Sequence, residues 1–172
     1  MAFNAIGSLA PYGGPVLRSE ILANSITVTY MDSVKFASGF VALGTAAATV
    51  LGHVEGIRSN LGLGMTTTGV AGAAVGSFVG TFATASDNQT VAKVRAEIDV
   101  SQNTMYSAEV DATIGTTTGS NLAGYRMDLV DANTLNEGSA LTTILQYGTW
   151  GLDPSNSARA VVNILRSSIF NV

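Results

Sequence analysis

The sequence predicts a mostly β protein: a small barrel or sandwich body with an extended N-terminal arm, and with room for two β lobes. Three observations carry that expectation. Side chains alternate with a period of two over several segments, the spacing of a strand with one buried face. Turn-forming Gly, Asn and Asp separate those segments. No stretch longer than about 12 residues carries the helical period.

Taken in chain order, residues 1–30 stand apart. Leu9-Ala10-Pro11-Tyr12-Gly13-Gly14-Pro15 holds two of the three prolines and lacks regular alternation. Proline fixes its own backbone and pushes the preceding residue to extended conformations, so an arm is expected, with a terminal strand tucked onto its own barrel as the alternative. Residues 31–172 form a β-rich domain, with any sub-division expected near 60–88. Val34–Phe36, Phe40–Leu43 and Thr49–Ile57 are short strands punctuated by glycine. Ala46-Ala47-Ala48 favours a helix but has no room for one between Gly44 and Gly52.

Between Arg58 and Asp87 no charge occurs, and Gly72, Gly76 and Gly80 repeat a small-residue spacing. The strongly apolar part, Val70–Phe82, is shorter than the roughly 20 residues that span a bilayer. A buried or interface segment is expected, not a membrane span. Thr90–Val100 then alternates clearly, with Ala92, Val94, Ala96, Ile98 and Val100 on one face and Lys93, Arg95, Glu97 and Asp99 on the other. After Ser101-Gln102-Asn103-Thr104 the alternation resumes through Tyr106, Ala108 and Val110, which reads as a β-hairpin. Tyr125, Met127 and Leu129 form a further strand beyond the Gly115–Asn121 loop, and Leu141–Tyr147 another. Gly148–Ser157 reads as a loop anchored by Trp150, and Ala160–Leu165 as an apolar strand covered on both faces.

Composition narrows the chemistry. The chain has no cysteine, which excludes disulfides, thiolate metal sites and a cysteine nucleophile. Its net charge is −4 and its eight basic residues are scattered, against the clustered cations of a nucleic-acid binder. Charged residues are 12% of the chain, where about 25% is usual. A surface so poor in charge is expected to be covered by other subunits. The N-terminus lacks the basic and apolar stretches of a signal peptide, so synthesis in a cytoplasm is expected.

His53, the one histidine, lies beside Glu55 on the same strand face, but without a carboxylate cluster or second histidine it reads as a structural residue. Gly62-Leu63-Gly64 lacks the spacing of a phosphate loop. Asp128, Asp131, Asn133, Asn136 and Glu137 gather oxygen ligands, yet Leu135 and Gly138 break an EF-hand order, so a solvated turn is expected and no metal. No nucleophile motif occurs, so no catalytic residue, cofactor or enzymatic activity is expected.

Val34–Gly44 followed by Val50-Leu51-Gly52-His53-Val54-Glu55-Gly56-Ile57, and later Lys93–Val100 with Met105–Asp111, Gly119–Val130, Asn136–Leu141 and Ala160–Leu165, resemble the layout of capsid decoration (cement) proteins of tailed bacteriophages. The resemblance implies a structural virion protein on the outside of the capsid that strengthens contacts between major capsid subunits. It also implies the major capsid protein and further copies of itself, as dimer or trimer, as partners. Phe3, Ile6, Leu9, Pro11 and Tyr12 on the arm, with Trp150, are then the candidate contact residues. Two other readings compete: a tail or neck subunit, and a carbohydrate-binding adhesin module with Trp150, Tyr147 and Tyr125 as stacking platforms, although aromatics total only 7%.

Overall fold

A computed structural model describes residues 3–11, 13–46, 48–59, 81–91, 94–111, 123–136 and 146–165. The protein is mostly β, with several sheets and, among the described residues, one four-residue helical turn, Asn88–Val91. Among the described residues no helix is long and apolar enough to cross a membrane. Thirteen strands are described: β1 (Phe3–Ser8), β2 (Leu17–Ile21), β3 (Thr27–Thr29), β4 (Ser33–Ala37), β5 (Phe40–Leu43), β6 (Gly52–Ser59), β7 (Thr81–Ala83), β8 (Val94–Asp99), β9 (Thr104–Val110), β10 (Arg126–Leu129), β11 (Thr134–Asn136), β12 (Tyr147–Asp153) and β13 (Asn156–Ile164).

They form two barrel-like bodies. In the first, the sheet runs β2-β8-β6-β4-β5, and its outer strands meet again where Leu22 bridges Val41 and Ala23 N donates to Val41 O at 2.8 Å. Its core holds Leu22, Val34, Val41, Val54, Ile57, Ala96 and Ile98, with the β3–β7 ribbon adding Val28 and Phe82. In the second, β9-β11-β10-β12-β13 closes into a ring because β13 also pairs with β9. The β9–β11 pair is parallel and the others antiparallel. Tyr106, Ala108, Met127, Leu129, Tyr147, Val162 and Ile164 fill that ring. Small barrels are packed with side chains, so each body is a solid core and not a channel.

Local chemistry explains the tight places. The β4–β5 hairpin turns on Ser38 and Gly39, with φ of 51° and 82°, the paired left-handed residues of a two-residue turn that matches strand twist. At Gly52, where β6 starts beside the end of β8, a Cβ would lie 2.1 Å from Asp99 O, so only glycine permits that approach.

Four expectations change. The segments before and after Ser101 do not form a hairpin: β8 pairs with β2 and β6, and β9 with β1, β11 and β13. Asp99 Oδ1 accepts from Ser101 N at 2.8 Å, a local turn that swings the chain from one barrel into the other. Strand β8 starts at Val94, since Asn88–Val91 is helical, and its second face is covered too, because Glu97 pairs with Arg58 at 2.9 Å and Asp99 is fully buried. Gly148–Ser157 is no loop: β12 occupies Tyr147–Asp153, and only Pro154 and Ser155 turn. Of the two readings of the first residues, the terminal strand tucked onto its own body is the one that forms, since β1 pairs with β9 and β2 with β8. The expected strand over 141–145, the tracts at 66–68 and 116–118 and most of the uncharged segment lie outside the described residues.

Candidate functional site

The predicted contact residues divide. Phe3 is wholly buried, with its ring 5.4 Å from Tyr147 and 4.5 Å from His53, so it anchors β1 to the protein's own core and offers nothing to a neighbour. Ile6 is 45% exposed and Leu9 39%, and Pro11 is also exposed. Tyr12 lies outside the described residues. Beyond Pro15 the exposure continues with Val16 and Leu17, which sequence reasoning left out. Leu9 N donates to Asn103 O at 2.8 Å and Val100 N to Val16 O at 2.9 Å, so these apolar side chains flank the crossover from β8 to β9. Ile6 is the extra residue of a bulge between Ala5 and Gly7, which interrupts the ladder of an edge strand.

Trp150, read from sequence both as a loop anchor and as a contact candidate, is 55% exposed on β12. It is the unpaired residue of a bulge between Thr149 and Gly151, where Gly151 takes a φ of 134°. Its indole N–H donates to Asn163 Oδ1 at 2.8 Å, and Asn163 Nδ2 donates to Gln102 O at 3.1 Å. Arg126, Gly148 and Asn163 stand side by side on β10, β12 and β13. Beside them lies a notch of about 590 Å³, lined by these residues with Tyr125, Thr149, Trp150 and Leu165, which packs over Gly148. Tyr147, expected to stack with them, is wholly buried on the other side of the strand. Arg126 and Asn163 were missed by sequence reasoning. The signal available was Gly148-Thr149-Trp150-Gly151, an aromatic residue framed by glycines inside an alternating segment.

The groups with titration chemistry sit elsewhere, at the junction of the two barrels. His53 Nδ1 is 3.1 Å from Met31 O, an atom that only accepts, so the neutral ring carries its proton on Nδ1. Nε2 then accepts from Tyr147 OH at 3.2 Å, and Ser33 Oγ donates to that phenol at 2.8 Å. Tyr106 OH donates to Asp99 Oδ2 at 2.7 Å, and its ring lies 4.2 Å from His53. Burial lowers the His53 pKa to about 4, against smaller opposing effects from the Met31 carbonyl and Asp99. Burial raises both phenols, and Asp99 raises that of Tyr106 further. Gln146 ties the same junction, donating to Thr45 O at 3.0 Å and to Ala48 O while accepting from Leu129 N.

His53 and Glu55 do not face one another. Glu55 is the extra residue of a β6 bulge between Val54 and Gly56, and it accepts from Tyr30 OH at 3.2 Å. With His53, Tyr106 and Tyr147 all at 0% exposure, this network joins the two bodies inside the protein. In the oxygen-rich stretch from Asp128 to Glu137, read from sequence as a solvated turn, Asp131 Oδ1 accepts from Asn133 N at 2.8 Å, while Asp128 is buried on β10 and Glu137 lies outside the described residues. Compared with protein-family models, curated proteins and solved structures, the chain matches none.

Proposed function

We propose that this chain is a structural virion protein that binds the outside of a tailed-phage capsid and stabilises contacts between major capsid subunits. The observation that supports it most is the run of exposed apolar side chains Ile6, Leu9, Val16 and Leu17 around the barrel crossover, in a chain with 12% charged residues. Each buried aliphatic side chain contributes roughly 1.5–3 kcal/mol, so a few such contacts per copy suffice when every copy is repeated over a shell. Binding only to the assembled shell adds that energy to assembly and slows its loss. The Ile6 bulge makes β1 a poor template for another strand, so docking proceeds through side chains over a neighbour's surface, with self-association into a closed dimer or trimer.

Two rigid bodies joined by buried hydrogen bonds suit a passive load-bearing role. The test is labelled antibody on intact particles purified with the chain. Label over the head is expected. Label confined to the tail would instead make it a tail or neck subunit, and particles free of label would end the proposal.

A further inference from the structure

We propose that the notch at Gly148 binds an acidic sugar, with Trp150 as its stacking platform and Arg126 as the partner of its carboxylate. The inference is independent of the capsid role. Four observations converge on it. First, the bulge at Trp150 turns a large aromatic side chain out to solvent, a device strands use to re-aim a side chain at a site. Second, the indole is held in place: its N–H is already donated to Asn163, which is itself fixed by Gln102 and Ile164 carbonyls. More than half of Trp150 is exposed, and an apolar indole surface complements the C–H face of a pyranose.

Third, the notch beside Gly148, where Leu165 packs over the glycine, holds about 590 Å³, within the roughly 300–1,000 Å³ range of small-ligand sites. Fourth, among the described residues that line the notch Arg126 is the charged one, in a chain whose net charge is −4. A guanidinium fork beside an aromatic face selects a planar carboxylate over a neutral hydroxyl. Arg126, Gly148 and Trp150 lie on β10 and β12, the two strands of the ring farthest from β9, while Asn163 on β13 reaches the crossover at Gln102.

Trp150 is the sole tryptophan, which makes its emission a reporter of this one site. The experiment titrates the whole protein with 3′-sialyllactose, tri-galacturonate and, as neutral control, lactose. A saturable change in Trp150 emission is expected with at least one acidic sugar, with lactose at least about tenfold weaker, the scale of one charge-assisted hydrogen bond. Arg126→Gln, at an exposed position, is expected to weaken the acidic sugar by about tenfold without changing the circular dichroism spectrum, and Arg126→Lys to keep part of the preference. No saturable change with any of the three sugars, equal binding of lactose, or an unchanged affinity in Arg126→Gln would overturn the proposal.

Discussion

Tyr147 OH lies 3.2 Å from His53 Nε2, joining a residue of β12 in one barrel to a residue of β6 in the other across 94 positions of sequence. The same oxygen meets Ser33 Oγ, so one hydroxyl closes a buried chain of hydrogen bonds from Met31 O to Ser33. Tyr147→Phe keeps the ring packed against Phe3 but strands the His53 nitrogen and the Ser33 hydroxyl. A buried polar group left without its partner costs about 1–3 kcal/mol, so urea denaturation should show a loss of that size with an unchanged slope.

Phe3 is the one deeply buried residue of β1; the burial pattern of that strand is otherwise exposed throughout. Phe3→Ala removes the ring from between His53, Tyr106 and Tyr147, at a cost of about 3–5 kcal/mol. Loss of the anchor also frees β1, so limited proteolysis should cut near residues 9–16 faster in the variant than in the wild type.

Acidification acts on the junction in two opposing senses. His53 has a folded pKa of about 4, below the usual 6.5, so the unfolded chain takes up its proton first and stability falls as pH drops from about 6.5 to 4. Burial raises Asp32 from 3.8 to about 6, so there the folded state takes up the proton first and stability grows as pH drops through that interval. Each contribution is about 3 kcal/mol, and they largely offset one another. Asp32→Asn removes the second, so between pH 7 and 4 this variant should lose about 3 kcal/mol more than the wild type in pH-dependent denaturation.

Two glycines should behave oppositely. An added Cβ at Gly52 meets backbone at 2.1 Å, whereas at Gly7 it meets nothing within 4 Å. Gly52→Ala forces β6 and β8 apart and should cost at least about 3 kcal/mol, seen as lost soluble expression or a large fall in Tm, while Gly7→Ala stays within about 0.5 kcal/mol of the wild type.

What was legible in the sequence was whatever repeats locally. Val94, Ala96 and Ile98 read correctly as one buried face, as did Met127 and Leu129, because period two is written into adjacent residues. The mostly β class followed from the same signal. The hairpin at Ser101 was misread because turn chemistry marks that a chain turns, not which sheet it enters next. Around Trp150 the strand is hidden because Gly148, Gly151 and the bulge break the alternation that marks one. The contacts of His53 with Tyr147 and of Phe3 with both had no local signature, since each joins residues far apart in the chain. The notch was illegible for the same reason: Arg126, Gly148 and Asn163 become neighbours only through strand register.

A density map of phage heads purified with this chain is the most direct test of the capsid role. The account predicts two small barrels per copy on the outer surface of the shell, with Ile6, Leu9, Val16 and Leu17 pressed against capsid subunits. Heads that lack such density, or copies attached with those four side chains facing solvent, would contradict it.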